Sequence, residues 1–267
     1  MLALTGIPGF DKIFGGLPKG NLVVLAGRPG TGKTIFSASY LYHGALKFGE
    51  PGLYVSLSED EHQFYENMEK LGMNFKSLES MGKFRFLELP TLLRSGGEEF
   101  NRVLEEAEEI KAKRLVIDSL TALMQSLDKP AELRTFLHAI VSKVMTAMEC
   151  TAILIEEIPI GEEKLGYGVE EFVASALIRL DQDFHENRPI RVINVLKLRG
   201  GKLERKRALF TLEGGFKVFA YEPVRIIKSS EKYRPLPQPS KGFSTGMSYL
   251  DELLGGYPRG SAILFEK

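Results

Sequence analysis

The chain has 267 residues, with 35 basic against 35 acidic side chains, a formal net charge of zero, 43% hydrophobic and 26% charged residues. This size and balance describe soluble globular structure in one large or two small domains and exclude collagen, coiled coil and disorder. No apolar run approaches the roughly 18–20 residues of a membrane helix, no signal-peptide pattern opens the chain, and the lone Cys150 rules out an internal disulfide, so the expectation is a cytoplasmic protein without a membrane partner.

The opening segment Thr5 to Leu25, TGIPGFDKIFGGLPKGNLVVL, recurs at Thr245 to Phe265 as TGMSYLDELLGGYPRGSAILF, at an offset of 240 and with 7 of 21 positions identical. The aspartate, paired glycines, proline and final glycine return in register, which marks a duplicated architecture. Short apolar runs bounded by turns predict strands at Leu22–Ala26, Gly52–Leu57, Lys83–Leu87, Arg114–Asp118, Thr151–Ile155 and Ala176–Leu180. Between them, apolar spacing predicts helices over Lys33–Phe48, Glu59–Leu71, Gly97–Lys111 and Ala131–Met148. Buried strands alternating with helices imply an α/β fold with a mostly parallel central sheet covered on both faces. A strand-only run follows, Ile190–Leu198, Arg207–Leu212 and Phe216–Phe219, and predicts a C-terminal antiparallel extension. Pro223, Pro235, Pro237 and Pro239 then mark an extended spacer. The expected organisation is a domain at residues 1–225, a proline-rich linker at 226–243, and the start of an incomplete second module at 244–267.

Gly27-Arg28-Pro29-Gly30-Thr31-Gly32-Lys33-Thr34 fits G-x-x-x-x-G-K-[ST], directly after the first predicted strand and before a helix. Glycines let main-chain N–H groups curl around a phosphate, and the helix N-terminus adds its positive dipole end. Lys33 reaches the β- and γ-phosphates of a nucleoside triphosphate, and the Thr34 hydroxyl ligates Mg2+. Asp118 ends an apolar strand, where a carboxylate can hold the same Mg2+ through water. A strand-ending aspartate also serves as a helix cap, a duty Ser119 could share.

With GRPGTGKT, the opening TGIPGFDKIFGGLPKG, IDSLTAL from Ile117, Tyr167-Gly-Val-Glu-Glu-Phe-Val173 and LKLRGG from Leu196, the chain resembles the KaiC/RadA branch of the RecA-like P-loop ATPases, and KaiC-like proteins more closely. The resemblance covers nearly all of residues 3–220. It implies ATP and Mg2+ as ligands, ATP hydrolysis, and a homo-oligomer, often a hexameric ring or a filament, with nucleotide between subunits. The family's catalytic glutamate follows the second strand, often as a Glu-Glu pair. Here Ser58 occupies the first place and Glu59 the second, so Glu59 is the candidate base. Ser58-Glu-Asp-Glu61 also reads as a capping box, with Ser58 as N-cap and Glu61 at N3. Lys197 and Arg199, two apart on a predicted strand, match the K-x-R pair that enters the neighbouring subunit's nucleotide site. Exposed basic residues on an edge strand also simply discourage aggregation. Glu156 stands where relatives carry a small hydroxyl residue, a further departure.

Two other readings remain open at this point. One is an ATP-holding scaffold with little turnover, which Ser58 and Glu156 favour. The other is a RadA-like accessory of DNA repair. The zero net charge and the lack of aromatics among Lys202, Arg205, Lys206 and Arg207 give nucleic acid only weak support. His43, His62, His138 and His185 have no metal-ligand spacing among themselves or with Cys150.

Overall fold

The computed structural model describes residues 1–89, 96–122, 145, 148–159, 161, 174–186, 188–201, 203–219 and 242–263. Two compact units divide the chain, Met1–Tyr221 and Glu222–Lys267.

In the first unit a small pair, β1 (Leu2–Ala3) and β2 (Leu17–Pro18), flanks helix α1 (Phe10–Phe14). The main elements follow as β3 (Leu22–Gly27), α2 (Lys33–His43), β4 (Gly52–Ser56), α3 (Glu61–Lys70), α4 (Phe75–Ser80), β5 (Phe84–Glu88), α5 (Gly96–Glu109), β6 (Arg114–Asp118) and β7 (Thr151–Glu157). The last four strands are β8 (Ala176–His185), β9 (Arg188–Leu198), β10 (Arg207–Thr211) and β11 (Lys217–Phe219). Among the described residues the main sheet has nine strands, in the order β11-β10-β9-β8-β3-β7-β6-β4-β5. All pairings from β8 to β5 are parallel, and those from β8 outward to β11 are antiparallel. All six strands expected from the apolar runs are present, as is the antiparallel extension. The helix expected over Ala131–Met148 lies almost wholly outside the described residues.

Period-two alternation along the strands sends side chains to both faces. Val23 and Leu25 of β3, with Ile153 and Ile155 of β7, join Phe36 of α2, Phe64 of α3 and Phe75 of α4 in one cluster. Leu22, Leu53, Leu115 and Leu154 face the other way, against Val103 and Ala107 of α5. Burial on both faces explains why these strands read as continuous apolar runs.

β6 carries Asp118 at its far end, and Arg114 anchors its near end. The Arg114 guanidinium is 1% exposed. Its Nε and Nη2 meet Glu50 Oε2 at 2.7 and 2.6 Å, and it donates to the carbonyls of Leu4, Thr5 and Tyr40 at 2.7, 3.0 and 2.7 Å. It also lies 4.4 Å from the Tyr40 ring centroid. A Cβ at residue 44 would fall 2.3 Å from Arg114 Nε, so only glycine fits where the π-helical turn Gly44–Phe48 continues α2. Arg114→Ala leaves three carbonyls and Glu50 without this donor. It is expected to destabilise the protein by about 3–5 kcal/mol, read as a lower urea midpoint at unchanged m. An unchanged midpoint would show that the guanidinium holds nothing together.

The opening segment folds around Asp11, which accepts hydrogen bonds from Thr5 N, Thr5 Oγ1 and Gly6 N, each at 2.8 Å. In the second unit, β12 (Gly242–Phe243), α6 (Ser248–Leu254) and β13 (Tyr257–Pro258) repeat this design. Asp251 accepts from Thr245 N at 2.7 Å and from the Ser244 hydroxyl. The pairings Leu2–Pro18 and Ala3–Leu17 return as Gly242–Pro258 and Phe243–Tyr257, at the same offset of 240.

Candidate functional site

Strand register brings Gly27, Ser56, Asp118 and Glu157 together at the C-terminal edge of the parallel strands: Gly27 lies opposite Glu157, and Ser56 opposite Asp118. Open α/β sheets bind ligands along this edge. The loop Arg28–Gly30 is exposed there, ahead of α2. Gly32 has φ +101°, and a Cβ on it would come within 2.9 Å of Leu212, so no other residue suits the position. Asp60 caps α3 and Asn74 caps α4 with a side-chain oxygen, but among the described residues no side chain caps α2. Its first-turn N–H groups are therefore left for an anion.

Lys33 is 6% exposed. Its ammonium donates to the carbonyls of Gly27 at 2.9 Å and Arg28 at 3.1 Å, and lies 3.8 Å from Glu157 Oε1. Burial lowers its pKa, against the opposing pull of Glu157 and Asp118. Thr34 Oγ1 donates to Asp118 Oδ2 at 3.1 Å. Tyr54, on the neighbouring β4 and fully buried, donates its hydroxyl to the same oxygen at 2.6 Å. Burial raises the Asp118 pKa, while the bonds from Tyr54 and Thr34 and the charge of Lys33 lower it. The hydroxyl and carboxylate are hard oxygen donors of the kind Mg2+ takes alongside phosphate and water. Among the described residues no group of three or more His, Cys, Asp or Glu could hold a metal by itself, so a cation at Thr34 and Asp118 would draw further ligands from phosphate.

Glu59 sits half-buried in the loop between β4 and α3. Its main chain is pinned by Ser56, whose Oγ accepts from Glu59 N at 2.9 Å and donates to Glu59 O at 2.6 Å. Its Oε1 accepts from Asn67 Nδ2 at 3.0 Å. The capping box expected from the sequence is shifted: Asp60 is the N-cap, accepting from Gln63 N at 2.9 Å, and Glu61 begins the helix. Asp60 captures the cap because its short carboxylate accepts the bond from the N–H three residues on. Ser58 is exposed, and Glu59 stays outside the helix.

Lys197 and Arg199 are placed elsewhere. Leu198 pairs with Ala176, and Ala176 with Val23, four positions before Gly27. At about 3.3 Å per residue they lie roughly 13 Å from the phosphate loop along the strand, at its opposite edge. The expectation that both sit on one strand is corrected, because only Lys197 does. β9 ends at Leu198, an irregularity at Leu177/Ile178 shifts the register beside Leu196, and Arg199 occupies the following turn with its N–H bonded to Ser175 O at 2.8 Å. The segment Tyr167–Val173 lies outside the described residues.

Sequence reasoning missed Tyr54, Ser56, Asn67 and Arg191, whose guanidinium donates to Gly30 O at 3.0 Å. Tyr54, Asn67 and Arg191 depend on which elements are neighbours, and no local pattern encodes that; Ser56 is a local signal, a hydroxyl three residues before Glu59 that bonds its main chain. Beside Arg28 lies a polar cleft of about 430 Å3 where Arg179 pairs with Asp181 at 2.8 Å and Arg207 with Asp183 at 3.5 Å.

Known proteins match this chain over most of its length. A UPF0273 protein of Pyrococcus horikoshii is 36% identical over 224 residues, covering 78% of this chain and 89% of its own. The circadian clock protein KaiC2 of Synechocystis sp. is 33% identical, and its match covers 97% of this chain but 46% of that protein. The crystal structure of a KaiC-like protein from Pyrococcus horikoshii superposes with a TM-score of 0.73 at 32% identity, covering 82% of this chain and 99% of that one. The family described as "ATPase: KaiC" matches residues 3–222. The chain belongs to the KaiC ATPase family.

Proposed function

We propose that the chain is a Mg2+-dependent ATPase that works as a homo-oligomer, with each nucleotide held between two subunits. The observation that carries this is the meeting of Lys33, Thr34 and Asp118 at an uncapped helix N-terminus. Gly27 to Thr34 wrap the phosphates, and Lys33 exchanges its two loop carbonyls for phosphate oxygens. Thr34 and Asp118 hold Mg2+, which when bound neutralises charge on the phosphate oxygens. Glu59 orients the attacking water and takes its proton. Lys197 and Arg199, remote from their own phosphate loop, serve a neighbour's nucleotide, where a cation offsets charge on the transferring phosphoryl group. Residues 244–267 open a second module of the same design, joined by β12 at Gly242–Phe243 from the end of the expected linker 226–243.

Phosphate release and sizing with and without Mg-ATP test the proposal. Wild type is expected to release phosphate and to assemble, while Asp118→Asn loses about 10²-fold or more in Mg2+-dependent turnover, the scale of lost electrostatic stabilisation. Wild-type release no faster than that of Asp118→Asn, with tight ATP binding, would favour the ATP-holding scaffold, the reading that the exposed Ser58 supports.

A further inference from the structure

We propose that Asn67 is the positioning residue for the Glu59 carboxylate, held in turn by Gln63, so that a side-chain relay on α3 aims the water-activating group of the site. The inference rests on the reading of Glu59 as the base. Ser56 fixes the Glu59 main chain from both sides, which leaves the three side-chain torsions of Glu59 to be set by something else. Asn67 Nδ2 supplies the missing constraint at 3.0 Å from Oε1.

A carboxamide can turn either its oxygen or its nitrogen toward a partner. Gln63 Nε2 donates to Asn67 Oδ1 at 3.1 Å, so the Asn67 nitrogen is the end left to face Glu59. Gln63 and Asn67 are four residues apart, hence neighbours on one helix face. Phe64, Tyr65 and Met68 bury the other face in the core, and the helix cannot drift. A neutral amide donor also suits the task. It orients the carboxylate without taking its proton, and leaves Oε2, which no described residue bonds, for water.

The groups facing Glu59 define a second readout. Asp118 from β6 and Asp60 ahead of α3 are both carboxylates, and the Tyr54 hydroxyl lies nearby on β4. Burial raises the Glu59 pKa, the two carboxylates add to the rise, and the Asn67 bond opposes it. Removing Asn67 therefore moves Glu59 titration further up, and the acidic limb of turnover with it.

The test compares wild type with Asn67→Ala, Gln63→Ala and Glu59→Gln in the full chain. Asn67→Ala is expected to lower kcat about tenfold with KM within twofold, a share of the 10²–10⁴ that a general base supplies. Its acidic limb should shift to higher pH. Gln63→Ala, at an exposed position, should cost about two- to threefold. NMR titration of the Glu59 carboxyl in the nucleotide-free protein reads the same contact without turnover, and its midpoint should rise in Asn67→Ala. If Glu59→Gln is inactive but Asn67→Ala keeps both the wild-type kcat and the wild-type Glu59 midpoint, the relay is overturned and the base reading stands. If Glu59→Gln turns over like wild type, both are overturned.

Discussion

Lys33→Ala is expected to weaken Mg-ATP binding by on the order of a hundredfold and to end measurable turnover. The Lys33 ammonium donates to the neutral carbonyls of Gly27 and Arg28. Charge-assisted bonds to phosphate are about twice as strong as neutral ones, so exchanging these acceptors favours the nucleotide. The substitution should separate binding from stability. A lysine whose folded pKa is depressed binds its proton more tightly in the unfolded chain, so its charged form opposes folding at pH values below the folded pKa. Burial is the largest cause of the Lys33 depression. The nucleotide-free variant should therefore melt no lower than wild type, while its thermal shift with Mg-ATP disappears. Loss of binding together with a large fall in the melting temperature would mean that Lys33 is a structural residue.

The second large effect belongs to Lys197 and Arg199. Lys197→Ala/Arg199→Ala is expected to lose on the order of 10³-fold in kcat, the lower end of what a supplied arginine gives in GTPases. Strand register sets both residues at the edge opposite their own phosphate loop, so the defect should be repaired by a neighbour. Mixed with inactive Glu59→Gln and allowed to assemble, the double variant should recover activity. In a randomly mixed ring, a site pairing an intact Glu59 with an intact neighbouring Lys197 and Arg199 arises about one time in four, so recovery toward a quarter of wild type is expected across a heterologous interface. A co-assembled mixture as inactive as its components would remove the shared-site arrangement.

Fold and phosphate site were legible for the same reason: both are written locally. Leu22–Ala26 and Thr151–Ile155 are apolar on both faces because helices cover both sides, and Gly32 is fixed by a backbone angle that its own residue type betrays. The relation between Thr5–Leu25 and Thr245–Phe265 was likewise visible as a pattern, and the matching pairings and aspartate bonds give it a physical form. The rest of the site was hidden. Tyr54 reaches Asp118 only because β4 lies beside β6, although α3, α4, β5 and α5 separate them in the chain. Asn67 reaches Glu59 because α3 starts at Glu61 rather than Glu59, a competition between two caps two residues apart. The place of Lys197 and Arg199 at the far edge required the pairing of β8 with β9.

The central claim is that Gly27–Thr34 and Asp118 grip a nucleoside triphosphate together with a divalent cation. Calorimetric titration of ATP into the purified chain, with Mg2+ and then with a chelator, tests it most directly. The account predicts saturable binding to one site per chain that tightens with Mg2+, and that loses this Mg2+ dependence in Asp118→Asn. No heat and no thermal shift from the folded wild type, with ATP or GTP and Mg2+, would contradict it.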